Sequence, residues 1–268
     1  MNIILKIWRR IIIWIDNRFN KPKFSLFTTI YFNLRLLPFK QACLLPIYFY
    51  GKWCSRSLSG TIVIRSKNIH RGMYRFGYNN VGFYTATYST LTLYPDSKIV
   101  LEDDIRIDQG VSIFLNRGAV LELNRKCAIT DFVKILCFKN IHIGYNTRIG
   151  WESQIMDYNF HYTENINNGI VKSIRKEVFI GDRCWFGNRC SIMPGSKLPD
   201  DTIIGSNSLV NTDYVKAGIE PYSLLAGSPA IFKANGLRRI WDNSLESQID
   251  HFFTSTSAST FSLNNNAD

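Results

Sequence analysis

The stretch "QIMDYNFHYT", residues 154–163, sets a carboxylate and an imidazole four positions apart, Asp157 and His161, with the aromatic Phe160 beside the imidazole. A neutral imidazole accepts a proton near pH 7, and a nearby carboxylate can fix its tautomer and stabilise the imidazolium. Those types suit the removal of a proton from a hydroxyl of very high pKa as it attacks an activated carbonyl. Each residue also has an ordinary alternative: a solvated loop histidine, and a turn carboxylate that caps backbone amides. Further on, "IGDRCWFGNRCSIMPG" (180–195) carries Trp185, a large aromatic with one N–H donor.

A six-residue repeat positions these side chains. Ile143, Ile149 and Ile155, then Ile180, Phe186, Ile192, Leu198, Ile204 and Val210, fall in phase on either side of one break. Period six fits neither a helix (3.6) nor a plain strand (2). A short strand plus a tight turn per word, three words closing a triangular coil and coils stacking by parallel pairing, satisfies it. The residue after the apolar one is Gly at 144, 150, 181, 187 and 205, which predicts glycine corners. The residue four after it is small: Thr147, Ser153, Cys184, Cys190, Ser196, Thr202 and Ser208. Cys184 and Cys190 therefore read as packing residues. Trp185 falls on an outward slot, where a large aromatic has no core to fill and marks an interface or a ligand. Ile155 to Ile180 spans 25 residues where one word takes 6, so 19 extra residues leave the coil as a loop bearing Asp157 and His161. From 60 to 142 the period persists with irregular joins, through Leu101, Ile107, Ile113, Leu123, Ile129 and Ile135.

The repeat, together with "AGSPAIFK" after the last coil, resembles the hexapeptide-repeat acyltransferases, and more closely their sugar O-acetyltransferase branch. The resemblance implies an all-β fold, a left-handed parallel β-helix, with acetyl-CoA as co-substrate and a sugar hydroxyl of a cell-surface polysaccharide or lipid-linked glycan precursor as acceptor. It also implies a homotrimer. Many of those enzymes open the loop with Asp-x-Asp-aromatic-His, so Asp157 and His161 match, with Asn159 in place of the second acid. His161 is then the catalytic base and Asp157 its orienting partner. Trp185, Phe186 and Gly187 match a W-I-G segment beside the coenzyme, with the Trp185 indole N–H facing the reacting carbonyl. By position in the motifs, Gly187, Asn188, Gly205 and Ser206 are coenzyme contacts, and Lys233 is a phosphate-side candidate. The same resemblance leaves room for an amino-sugar N-acetyltransferase. From another class, the coil would be a catalytically silent scaffold with a membrane-binding arm.

Charge and composition bound the rest. The chain is 46% hydrophobic and carries a net charge of +11, but residues 1–60 hold ten Lys and Arg against Asp16 alone. Basicity confined to one end excludes a nucleic-acid-binding face on the body. "MNIILKIWRRIIIWIDNRF" mixes Ile, Leu and Trp with cations, the composition of a segment lying in an anionic membrane interface or of a helix packed on the body. Arg9 and Arg10 cut the apolar run well short of the ~20 residues of a spanning helix. Six cysteines without a C-x-x-C pair point to reduced thiols and a cytoplasmic address, peripheral to the inner face of the membrane if residues 1–20 bind it. Four histidines with no pair four or five apart supply no zinc site, so no metal is expected. The expected organisation is an N-terminal amphipathic basic segment (1–59), a β-helix acyltransferase domain (60–215) with an active-site loop at 157–178, and a C-terminal extension (216–268) ending in a mobile polar tail.

Overall fold

The computed structural model describes residues 6–12, 23–78 and 87–263. They fall into two compact units, one up to Leu237 and one from Arg238.

The first unit winds as a parallel β-helix. Successive strands pass in turn to three sheets, which we call faces I, II and III, of nine, seven and six strands among the described residues. One coil illustrates the order: Ala128–Ile129 lies on face I, Lys134–Cys137 on face II and Asn140–Ile143 on face III. Within the coil, strands pair in parallel with the strand one coil later, as Ile135 with Ile155 and Ile143 with Ile180, and the last strand of face I, Ile231–Ala234, pairs antiparallel, with Leu224–Ala226. This three-sheeted parallel β-helix is the all-β class that the resemblance implied.

Why the six-residue word makes this coil is visible in its columns. All nine in-phase residues from Ile143 to Val210 are at most 1% exposed. At about 25 cal/mol per Å² of apolar surface, these stacked Ile, Leu, Val and Phe columns dominate the stability. The small residues also point inward and are buried. Their hydroxyls satisfy backbone groups between coils: Thr147 Oγ1 donates to the Gly181 carbonyl at 2.9 Å and accepts from the Cys184 N–H at 3.0 Å. Cys184 and Cys190 are buried in this series, and burial pushes the Cys184 thiol up to about 12.

The five glycines that follow an in-phase apolar residue do not make the corners. In the coil between 143 and 210 the left-handed positions are Asn146, Glu152, Arg183, Arg189, Gly195, Asp201 and Asn207, two after the slot where glycine was expected, and the six non-glycines have φ between 52° and 58°. The glycines answer to space instead. A Cβ at Gly187 would sit 2.6 Å from the Ser206 amide nitrogen of the next coil, and one at Gly144 would collide with the Gly181 carbonyl.

Helix α1 covers residues 6–12; residues 1–5 and 13–20 of the segment expected at a membrane lie outside the described residues. Helix α2 (Leu26–Leu36) closes the first coil. Its Phe32 and Leu36 enter the core, and its polar side chains finish the edge of the first strand, Ile47–Phe49. Asn33 Nδ2 donates to the Ile47 carbonyl, Asn33 Oδ1 accepts from the Ile47 N–H, and Thr29 Oγ1 accepts from the Phe49 N–H. A side-chain amide thus stands where a further strand would pair. A short α3 (Phe39–Ala42) follows.

The second unit carries α4 (Asn243–Ser255), capped by Asp242, whose carboxylate accepts from the Ser244 and Leu245 amides. In the tail expected to be mobile, the Phe261 ring sits 5.0 Å from Phe252 of α4; residues 264–268 are outside the described set. No helix among the described residues is long and apolar enough to cross a membrane.

Candidate active site

The break in the repeat is a hairpin arm leaving the edge between faces II and III. Gln154–Met156 ends on face II, Glu164–Asn165 pairs antiparallel with Ile170–Val171 in the arm, and the chain re-enters face III at Val178–Ile180. Asp157 closes the arm's base. Its carbonyl accepts from the Lys176 N–H at 2.9 Å, while its fully buried carboxylate accepts from the Phe138 and Lys139 amides, both at 2.7 Å. Burial raises its pKa, and those amides pull the other way. The arrangement is the turn-capping alternative: both oxygens are spent on the backbone of the preceding coil.

His161 lies four residues up the arm, exposed, with no hydrogen-bond or ion-pair partner among the described residues. Its approach is built by aromatic stacking. The Tyr158 ring lies 4.0 Å from Phe138 at 10°, Phe160 meets Tyr158 edge-on, and the Arg175 guanidinium sits 5.6 Å from the Tyr158 centroid. A rigid base therefore presents a solvent-facing imidazole. The stacked aromatics and Arg175 escaped the sequence reading, because nothing in the repeat marks residues 138 and 175 as neighbours.

Trp185 points outward from face I, 40% exposed, between Arg148 and Ile203 on the flanking strands. Gly187, Asn188, Gly205 and Ser206 follow at the edge between faces I and II. Lys233 is exposed on Ile231–Ala234, the strand that ends face I. The structure thus gathers Trp185, Gly187, Asn188, Gly205, Ser206 and Lys233 along one strip, with a cation at its end and backbone groups at its edge. Coil packing already accounts for the glycines at 187 and 205, so the missing Cβ there is not in itself a mark of coenzyme contact.

In a triangular cross-section the edge between faces II and III lies opposite face I, so the arm that bears His161 leaves the coil on the side away from the Trp185 strip. A cleft of about 880 Å³ lies at the third edge, between faces III and I, lined by residues including Arg65, Lys67, His70, Asp103 and Arg125, but neither His161 nor Trp185.

At the I–II edge the structure reveals one more group. Asp131 is buried, and desolvation, then the charge of Asp108, push its carboxyl up to about 7, against the opposing pull of the Gln109 amide and Arg106. The folded state therefore holds the proton more tightly than the unfolded chain. The resulting penalty is absent below the unfolded value of 3.8, grows as pH rises to about 7 and is complete above it. Asp131→Asn is expected to raise the unfolding midpoint at pH 8 by several degrees, on the order of 1–3 kcal/mol, and to do little at pH 4.5; thermal melts at the two pH values check it.

No protein-family model matches the chain. Among curated proteins, it is 27% identical over 146 residues to the putative lipopolysaccharide biosynthesis O-acetyl transferase WbbJ of Escherichia coli (strain K12), covering 50% of this chain and 71% of that protein. It is 43% identical over 120 residues to a probable macrolide acetyltransferase of Lysinibacillus sphaericus, covering 43% of this chain and 59% of that one. A chloramphenicol acetyltransferase of Morganella morganii is 47% identical over 51 residues, only 22% of its length. Of solved structures, the polySia-specific acetyltransferase NeuO aligns with a TM-score of 0.46 at 14% identity, over 77% of this chain and 98% of that one.

Proposed function

We propose that this chain, which belongs to the hexapeptide-repeat acyltransferases by its coil, its motifs and its acetyltransferase relatives, transfers the acetyl group of acetyl-CoA to a sugar hydroxyl of a surface polysaccharide or of its lipid-linked precursor. The observation that carries the reading is the exposed imidazole of His161, without a hydrogen-bond or ion-pair partner among the described residues and held on a stiff arm at the one long break between residues 143 and 215 of the repeat. The O-acetyl transferase relative, matched over 71% of its length, supports the acceptor class.

In this reading the chain's own groups act as follows. The acyltransferase domain takes in the coil strands from Ile47–Phe49 to Ile231–Ala234, wider than the 60–215 that the repeat alone suggested, with the loop at 157–178. The strip of Trp185, Gly187, Asn188, Gly205, Ser206 and Lys233 holds the thioester, with Lys233 toward its phosphates. His161 Nδ1 or Nε2 takes the hydroxyl proton as the new C–O bond forms and the C–S bond breaks, and then returns that proton to the leaving thiolate. The Trp185 N–H stabilises the oxygen on which charge develops. Asp157 acts at one remove, fixing the arm's base and thereby where His161 stands. The acetylated sugar and free coenzyme thiol leave.

The divergence of arm and strip supports a homotrimer in which one copy's His161 faces the neighbour's Trp185 strip. Static light scattering at micromolar concentration is expected to give about three times 30.9 kDa; a monomer would remove this arrangement. The cysteine usage and basic N-terminus support a cytoplasmic enzyme in peripheral contact with the membrane's inner face through residues 1–20.

The direct test mixes the full chain with acetyl-CoA and candidate glycans, follows free thiol, and reads the product by mass spectrometry. An ester on a sugar hydroxyl supports the proposal. An amide formed only on amino sugars gives the N-acetyltransferase reading, and no thiol above the acceptor-free rate gives the silent scaffold.

A further inference from the structure

Helix α2 carries apolar side chains on two opposite sides, joined on the inner one by the hydrogen-bonded Thr29 and Asn33. Thr29, Phe32, Asn33 and Leu36 face the coil and are buried. Two residues out of phase, Phe27, Ile30, Tyr31 and Leu34 form a second stripe at the same i, i+3, i+4, i+7 spacing, and all four are exposed, Phe27 at 81%. Leu26, Phe39 at 75% and Leu44 continue it. A helix that closes a solenoid needs one apolar face, and its outer face is ordinarily polar. The outer polarity here is purely cationic: Lys23, Arg35 and Lys40 are exposed around the stripe. Between residues 17 and 95 the chain has eleven Lys and Arg and no Asp or Glu. Beside the stripe, Arg35 and Arg56 line one cleft of about 350 Å³ together with Thr28, Ser55 and Ser57, with Phe27 and Tyr31 at its apolar side.

The geometry points to α2 as a membrane-docking face, its Phe27–Leu34 stripe in the headgroup boundary of an anionic bilayer and the Arg35–Arg56 cleft on a lipid phosphate. This goes beyond the contact proposed for residues 1–20, and it is independent of the acetyltransferase reading. Charge selects the occupant. A second copy of this face would bring cations against cations, whereas an anionic bilayer offers negative charge and an apolar layer together. A soluble polyanion would leave the stripe in water. Guanidinium groups suit phosphate through paired N–H donors, and hydroxyls in the same cleft complete the oxygen's contacts. An eleven-residue helix buries little area, so binding is reversible and salt-sensitive.

The test uses the full-length chain and sedimentation with vesicles of 30% phosphatidylglycerol in phosphatidylcholine, against pure phosphatidylcholine. The wild type is expected to bind the anionic vesicles at least about tenfold more strongly, and high salt to erase the difference. Phe27→Ser with Leu34→Ser removes two exposed side chains and no core contact; it is expected to weaken that binding about tenfold or more, with an unchanged melting temperature. Arg35→Gln with Arg56→Gln is expected to weaken it and flatten its salt dependence. Equal binding to both vesicle types, or wild-type binding by the double-serine variant, overturns the proposal. So does a change in oligomeric mass in that variant, which would make the face a contact between copies. Acyl transfer to a soluble acceptor is not involved in any of these readouts, so an inactive enzyme and a failed docking face remain distinguishable.

Discussion

His161→Ala is expected to lower kcat by about 10²- to 10⁴-fold, the range for losing a general base, with the KM for acetyl-CoA little changed. The fold should not register the change, because the imidazole is exposed and touches no partner among the described residues. An unchanged melting temperature beside a collapsed kcat therefore separates chemistry from stability. Wild-type turnover in His161→Ala would remove the mechanism altogether and return this residue to a solvated loop histidine.

Trp185→Phe is expected to lower kcat by roughly 10- to 1,000-fold, because the substitution keeps most of the ring's packing and deletes only the N–H donor. Trp185 stands on the outer side of face I, so the coil core does not depend on it. A fully active variant would assign the indole to packing. The two variants together test where the site is made. If each site takes His161 from one copy and the Trp185 strip from its neighbour, subunit exchange between the two impaired proteins makes about a quarter of the sites intact in random mixing. Activity of the mixture well above either parent supports the shared site, and activity no higher than the parents' mean places both residues in one chain.

Much of the core was legible before any coordinates. The nine in-phase apolar residues, the inward small residues and the packing role of Cys184 and Cys190 all follow from a period that only a coil of short strands satisfies, and all are buried. The glycine corners show how a correct pattern can carry the wrong cause. Glycine after five of the nine apolar residues suggested a turn needing positive φ there, yet the left-handed positions in this part of the coil come two residues later, at Asn146, Glu152, Arg183, Arg189, Gly195, Asp201 and Asn207. What excludes a Cβ at 144 or 187 is the next coil, 37 or 19 residues away in sequence at Gly181 and Ser206, and a one-dimensional pattern does not display contact at that separation.

The same distinction governs the site. By itself the sequence determined that the chain coils in six-residue words, that Trp185 points outward, and that an arm bearing Asp157 and His161 leaves the coil, because apolar side chains must be buried in phase and 19 residues without that phase cannot be. Only the tertiary structure decided how the parts are shared out. Closing three words per turn sends successive words to different faces, and this set the arm opposite the Trp185 strip. Stacking coils brought the Phe138 and Lys139 amides onto the Asp157 carboxylate, which made that residue the arm's anchor instead of a free partner for His161. Packing α2 on the first coil used one apolar stripe and left the other in the open. Periodicity fixes whether a side chain points in or out; which neighbours it then meets depends on closure and stacking, which act between residues far apart in the chain.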